Sequence, residues 1–437
     1  MRYEIYNSSF ARVPADKLKT EVIAMKQNLF SKDFTLVVIG QIISLFGNAA
    51  VRFALPLYLL NQTGSSALYG TVMACSFIPA VLLSPIGGVI ADRVNKRNIM
   101  VILDFFTAAV ILTFSLLMDV ADIVLLITVV LMILYGIAGA YQPTVQASIP
   151  ALVCREHFMA ANSVINTVSS FAALTGPVLG GILYSAYGLR AILWISMMCF
   201  VLSAVMEIFI RIPHKNESRG EGIIKTVKLD FAESLQFILK KKPAIGKGMF
   251  VICGINLFLS AMILVALPYL ITEVLNLEAV RANRLYGFAE GAMAAGGLLG
   301  GICAGVFAGK LSIRKSAVLL KISAMCVFPM GAVLIASASG IFKYMVITVC
   351  CFAIMLFSSV FTVLMMSFIQ AEVPQNLIGK VIAVIMTVSM CAQPLGNAWY
   401  GVLFEFLKGY EYVVVLFSGV VSLGIAAGAE KVFKEFS

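Results

Sequence analysis

Four polar residues, Gln41, Ser44, Asn48 and Arg52, recur at spacings of three, four and four inside an otherwise apolar stretch. On a helix that spacing places all four on one face. Such a stripe can hydrogen-bond a passing molecule and, through the guanidinium, pair with an anion. Asp104 and Glu290 also stand inside apolar runs. An ionisable group in such surroundings faces protein or a water-filled path, where it can pair with a cation or carry a proton. Arg52 and Glu290 fall at similar depth in their stretches, so an ion pair between them could close one end of a path, and protonation of Glu290 would break it. Glu290 is therefore the candidate proton carrier. Glu207 and Glu405 stand near the ends of apolar runs and are expected at the interface with water.

Covalent chemistry has no comparable support. The sequence contains no H-E-x-x-H, no G-x-S-x-G and no G-x-x-x-x-G-K-[ST], so it offers no zinc-hydrolase, serine-hydrolase or P-loop signature. His157 and His214 fall in connecting segments, and the nine cysteines form no C-x-x-C pair and lie mostly in apolar runs. No enzyme activity, cofactor or metal site is expected. The net charge of +10 is scattered through short loops, with no basic domain to hold nucleic acid.

The elements that position the polar residues follow from composition. Apolar residues make up 61% of the 437 positions and charged residues 12%, against about 45–50% and about 25% in soluble domains. A lipid bilayer must solvate this chain. A crossing helix needs about 20 apolar residues, and twelve stretches qualify: 34–60, 67–91, 98–118, 122–142, 158–184, 190–211, 248–272, 285–309, 316–338, 344–368, 380–404 and 412–430. Placing both termini in the cytoplasm puts 25 of the 32 Lys and Arg residues on that side and five outside, as the positive-inside rule requires. The expectation is a multi-pass protein of the cell membrane, active as a monomer.

Five segments follow: a cytoplasmic tail (1–33), a six-helix half (34–211), a cytoplasmic linker (212–247), a second six-helix half (248–430) and a short tail (431–437). Residues 15–30 are compatible with an amphipathic surface helix or a plain tail. In the linker, Val227, Phe231, Leu235 and Ile238 recur at three- or four-residue spacing and predict a surface helix. The halves look duplicated. Ala54-Leu55-Pro56 is echoed by Ala266-Leu267-Pro268, and Gly88 to Arg93 by Gly305 to Lys310. Six crossings per half make the repeat parallel. The fold class is thus all-α, integral to the membrane, with twelve helices in two parallel six-helix repeats.

The segment GGVIADRVNKRNIM resembles the signature loop of the major facilitator superfamily, through Gly88, Ala91, Asp92, Arg93, Lys96 and Arg97. Ile90 and Asn95 depart from the usual Leu and Gly, and Gly309 replaces the loop Asp in the second half. The resemblance implies that Asp92 caps the start of helix 11, near Gly379 and Lys380, in one conformation only, and that Asp104, on a peripheral helix, belongs to the same charged cluster rather than carrying a proton. A carboxylate at the positive end of a helix is stabilised. Gly176, Pro177, Gly180 and Gly181 resemble the G-P-x-x-G-G motif shared by antiporters of that family, although small residues four apart also serve close helix packing alone. Together with GQIISLFGNAAVRFALPLYLLNQTGSS and YQPTVQASIPALV, these motifs are similar to the macrolide-efflux-like branch.

That resemblance places helices 1, 4, 7 and 10 around a central cavity. To the stripe on helix 1 it adds Tyr135, Tyr141, Gln142 and Gln146 on helix 4, Asn256 and Ser260 on helix 7, and Ser358, Ser359, Thr362, Phe357 and Phe361 on helix 10. The implied function is proton-coupled efflux of amphipathic small molecules by alternating access. Transport of an endogenous metabolite, lipid or siderophore is the alternative, and a transport-dead receptor or scaffold a remote one.

Overall fold

A computed structural model describes residues 29–154, 157–212, 231–306, 316–374 and 377–434. Residues 15–28 of the proposed tail helix, Val227 and Gly309–Lys310 lie outside these residues. Among the described residues, eleven helices are long and apolar enough to cross a membrane. One of them, Phe158–Ile208, is interrupted at Gly188, whose φ of 74° only glycine adopts without strain. Divided there, it supplies two crossings and brings the number to twelve.

The crossings are α1 (Lys32–Thr63), α2 (Ser66–Arg93), α3 (Lys96–Leu117), α4 (Ile123–Leu152), α5 (158–187) and α6 (189–208) in the first half. The second half holds α7 (Ile245–Val274), α8 (Ala279–Val306), α9 (Ser316–Ile335), α10 (Gly340–Glu372), α11 (Ile378–Phe406) and α12 (Glu411–Lys434). Side-chain caps fix several starts: Ser31, Ser65, Asn95, Asp122 and Ser339 each accept from a backbone N–H of the first turn. Such a contact satisfies a donor the helix itself leaves open.

Two spans are longer than the apolar runs suggest. α4 continues to Leu152 through Pro143 and Pro150, and α10 covers Gly340–Glu372. Polar residues end a hydropathy window without ending a helix, because their side chains bond back to the preceding turn. Thr144, for example, donates to the Ala140 carbonyl at 2.9 Å. α7 is irregular, with π-helical turns at Asn256–Ser260 and Leu270–Val274. The second follows Pro268, which removes one backbone donor and crowds the carbonyl a turn earlier.

Within the first half α1 packs on α5 and α6, and α2 on α4; within the second, α7 packs on α11 and α12, and α8 on α10. The halves meet through α2 against α11 and α5 against α8. The helix at 231–241, at the end of the linker, buries Phe237 and Ile238 among Ile245, Met249, Ile369, Val381 and Ile385. Lys380 donates to Glu233 at 3.0 Å and Lys242 to Glu372 at 2.6 Å. The linker helix is therefore fastened to the C-terminal half.

Candidate functional site

A cavity of about 430 Å³ lies inside the bundle, within the ~300–1,000 Å³ usual for small-molecule sites. The N-terminal half supplies most of its wall, including Ser44, Asn48, Arg52, Asp104, Tyr135, Tyr141 and Gln142, while the C-terminal half gives Leu264, Tyr286 and Glu290. The stripe expected on helix 1 is therefore only partly cavity wall. Gln41, one turn earlier, is fully buried and donates to the Tyr141 hydroxyl at 2.8 Å.

The expected ion pair between Arg52 and Glu290 is not formed. The Arg52 guanidinium lies 3.5 Å from the centre of the Tyr135 ring, a cation–π placement that satisfies the charge without a carboxylate. Glu290 accepts instead from Tyr286, one turn away on its own helix, at 2.9 Å. Phe53 stacks on Tyr286 at 4.9 Å with the rings 19° apart, which holds that tyrosine across the boundary between the halves.

Other residues close the end of the bundle remote from the termini. α2 and α11 touch through glycine: a methyl group placed on Gly401 would come 2.7 Å from the Ser66 carbonyl and 3.0 Å from Gly70 Cα. Above that contact, Glu405 accepts from the Ser65 hydroxyl at 3.0 Å and from the Ala67 N–H at 3.5 Å. Glu405 is exposed near the end of its helix, as expected, and it caps the start of α2 from the opposite half, where a carboxylate meets the positive end of the helix. α5 and α8 approach as closely. A methyl on Gly287 would lie 2.6 Å from the Pro177 carbonyl and 3.0 Å from Gly181 Cα. Asn61 of α1 donates to Asn283 at 3.0 Å and to Tyr184 at 3.2 Å beside that seam. The GPVLGG segment divides its work. Gly176 and Gly180 pack on α1 at Ala49 and Phe53, Gly181 meets α8, and Pro177 lines the cavity.

The remaining sequence candidates are placed elsewhere. Asn256 donates to the Ser389 carbonyl at 2.9 Å and so joins α7 to α11, while Ser260 donates to Asn256 at 3.4 Å within α7 itself. Phe361 is buried against Phe433 of α12, Phe357 is half-buried and Gln146 exposed, and none of the three lines the cavity. Gly88, Asp92 and Arg93 belong to the last turns of α2, with side chains outside the described residues. Lys96 and Arg97 open α3, and the Arg97 guanidinium donates to the Ile208 carbonyl.

Glu207, expected at the interface, is completely buried. It accepts from Tyr141 at 2.7 Å and lies beside Gly40 of α1. Asp104 is also buried and accepts from Ser44 at 3.0 Å. Position near the end of an apolar run misplaced Glu207, because α6 is flanked by α1, α3 and α4 to its last turn.

Residues 37–397 match the sequence profile of the Major Facilitator Superfamily. The chain belongs to this superfamily. Among its relatives, Macrolide efflux protein A of Streptococcus pyogenes is 23% identical over 376 residues, covering 85% of this chain and 89% of that protein. Multidrug resistance protein MdtG of Salmonella newport is 31% identical over 185 residues, 40% of this chain and 45% of that protein. The fold is shared with the nucleoside transporter NupG, at a TM-score of 0.73 and 13% identity over 92% of this chain and 99% of that one. A bacterial homologue of the lysosomal transporter Spinster gives 0.68 and 12%, over 93% and 98%. As a superfamily member with these relatives, the chain is a multi-pass membrane transporter of small molecules.

Proposed function

We propose that this transporter exports amphipathic small molecules of macrolide or drug-like character in exchange for protons, by alternating access. The observation that carries the reading is the cavity itself: aromatic and apolar walls with a few charged and polar groups, sealed at one end by two glycine seams between the halves. A molecule with an apolar body and a polar or cationic group matches such a wall. The names of the macrolide and multidrug relatives support the same substrate class.

In this reading both termini are cytoplasmic, the sealed end faces outward and the cavity loads from the cytoplasm. Return to the outward-open state separates α2 from α11 and α5 from α8 at the outer end. Asp92 then caps the start of α11 at the cytoplasmic end, as Glu405 caps α2 at the outer end here. Each cap exists in one state only, so each biases the equilibrium toward its own state. Glu290, on the cavity wall beside the outer seam, is the proposed carrier of a proton that competes with substrate.

The test is flux. Purified protein in proteoliposomes is expected to concentrate a radiolabelled macrolide when a pH gradient is imposed and to lose that accumulation when a protonophore collapses the gradient. Unaltered accumulation after collapse, or transport of none of a panel of amphipathic drugs, would overturn the reading. Full gradient-driven transport by Glu290→Gln would remove that residue from the role.

A further inference from the structure

The N-terminal half buries two carboxylates that its architecture does not neutralise. Asp104 on α3 and Glu207 on α6 are 2% and 0% exposed. Tyr141 of α4 donates to Glu207 at 2.7 Å while accepting from Gln41 of α1 at 2.8 Å, and Ser44 of α1 donates to Asp104 at 3.0 Å. Four helices thus converge on one polar cluster. Three of its oxygens, Gln41 Oε1, Asp104 Oδ2 and Glu207 Oε2, are buried and accept no hydrogen bond. Leaving buried polar atoms unpaired is costly, and leaving two anions without a counter-charge far more so.

The second half shows what a neutralised version of this place looks like. Lys321 on α9 follows Asp104 by 217 positions, and Glu430 on α12 follows Glu207 by 223. These two form a salt bridge. The same corner of the repeat therefore holds one cation and one anion in the C-terminal half and two anions in the N-terminal half. The missing positive charge has to come from outside the protein.

No described side chain supplies it. Arg97 of α3 donates to the Ile208 carbonyl, Arg52 of α1 lies over Tyr135, and Asp33 at the start of α1 accepts from the Arg211 backbone. α4 contributes only the Tyr141 phenol, and α5 places no ionisable group here. Asp104, Ser44 and Tyr141 also line the central cavity, so the cluster has a route to water.

We infer that Asp104 and Glu207, oriented by Gln41, Ser44 and Tyr141, form a proton-binding site in the N-terminal half that is separate from Glu290. A proton delivered as hydronium forms one O–H bond on Asp104 Oδ2 or Glu207 Oε2 and leaves water behind. The charge of the pair goes from −2 to −1, and the new donor can serve one of the free oxygens. A single oxygen suffices for a proton, whereas a divalent cation such as Ca²⁺ requires six to eight. Loss of the proton restores two like charges between α3 and α6. That strain falls on α1, which touches both carboxylates and carries Asn48 and Arg52 one and two turns further along. The site deepens the proposed proton exchange by giving it a residue pair, and rests on that reading for its role in transport.

Infrared difference spectroscopy of the purified full-length protein during a pH titration tests binding without any substrate. Wild type is expected to show a carboxylic C=O band that shifts on deuteration, titrates with pH and is unchanged when sodium chloride replaces choline chloride. Glu207→Gln is expected to lose the band and Glu290→Gln to keep it, with Asp104→Asn as the second reporter should Glu207→Gln fail to fold. A band that survives both Glu207→Gln and Asp104→Asn, or that sodium abolishes, would overturn the proposal. In proteoliposomes, Glu207→Gln is expected to lose accumulation driven by a pH gradient, and full retention would equally overturn it. Wild type that shows the band without being driven by a pH gradient would refute the proposed function while leaving the proton site intact.

Discussion

Asp104 faces a network that ends on Glu207, and at the corresponding corner of the other half Lys321 faces Glu430. Both places sit where the third and sixth helices of a repeat pack together. The N-terminal version is sealed from solvent and opens only on the cavity, whereas the Lys321 and Glu430 side chains are 31% and 35% exposed. The difference teaches how a duplicated fold divides labour. The half with the compensated pair can act as a passive frame, while the half with two acids must exchange a charge with its surroundings. The cavity lies against the same half, which supplies all but a few of its lining residues.

The most severe way to break this contrast is to copy one half onto the other. Asp104→Lys places a cation opposite Glu207, as in the C-terminal half. Accumulation driven by a pH gradient is expected to vanish while the melting temperature does not fall. Gradient-driven accumulation at the wild-type level would show that the unequal charge of the two halves is irrelevant to coupling.

A smaller effect is expected at the seam that joins the halves. Gly287→Leu drives a side chain into the Pro177 carbonyl and Gly181. Overpacking of this kind costs about 1–3 kcal/mol, equivalent to a shift of about 5- to 150-fold away from the state sealed at this end. Spin labels at the ends of α5 and α8 remote from the termini should report a longer distance; an unchanged distribution would mean the seam does not set the closed state.

The two caps between α2 and α11 offer a milder and signed comparison. A carboxylate at a helix start contributes roughly 0.3–1 kcal/mol, so Glu405→Gln should shift the equilibrium only a few-fold, toward opening at the end it holds shut. Asp92→Asn should shift it by a similar amount in the opposite direction, and the double variant should return near wild type. Shifts of the same sign, measured by thiol labelling at each end, would rule out paired latches.

The smallest effects belong to charge pairs that water already screens. Arg190 and Asp119 pair at the end of α6 with side chains 62% and 63% exposed. Arg190→Ala is expected to change stability by no more than about 0.5 kcal/mol. Lys321→Ala, at a half-exposed pair, should cost about 1 kcal/mol, and thermal melts in detergent can rank the two. Equal effects would indicate that burial does not distinguish the C-terminal pair from a surface one.

Much of this was legible in the sequence. Apolar length defined the twelve crossings, because a bilayer leaves no other way to bury some 20 consecutive apolar residues whose backbone must satisfy itself. Helical spacing put Ser44, Asn48 and Arg52 on one face, and all three line the cavity. Glu290 lines it too. Tertiary structure decided the partners. Arg52 and Glu290 stand at similar depth, yet depth fixes only one coordinate; the rotation of α1 and α8 turns Arg52 to Tyr135 and leaves Glu290 to Tyr286. Asn256 was read as cavity wall because α7 belongs to the inner ring, but its face points to α11. Glu207 looked peripheral because distance along a helix says nothing about which neighbours enclose its last turn; Glu405 is exposed as expected, but its bonds to the start of α2 could not be read from its position in the sequence. In a membrane protein lipid and protein interior are both apolar, so hydropathy cannot tell the two faces of a helix apart. The sequence therefore determined how many helices cross and which residues are costly to bury there. Only the packing of one helix against another decided which of those costly residues stand together without a counter-charge.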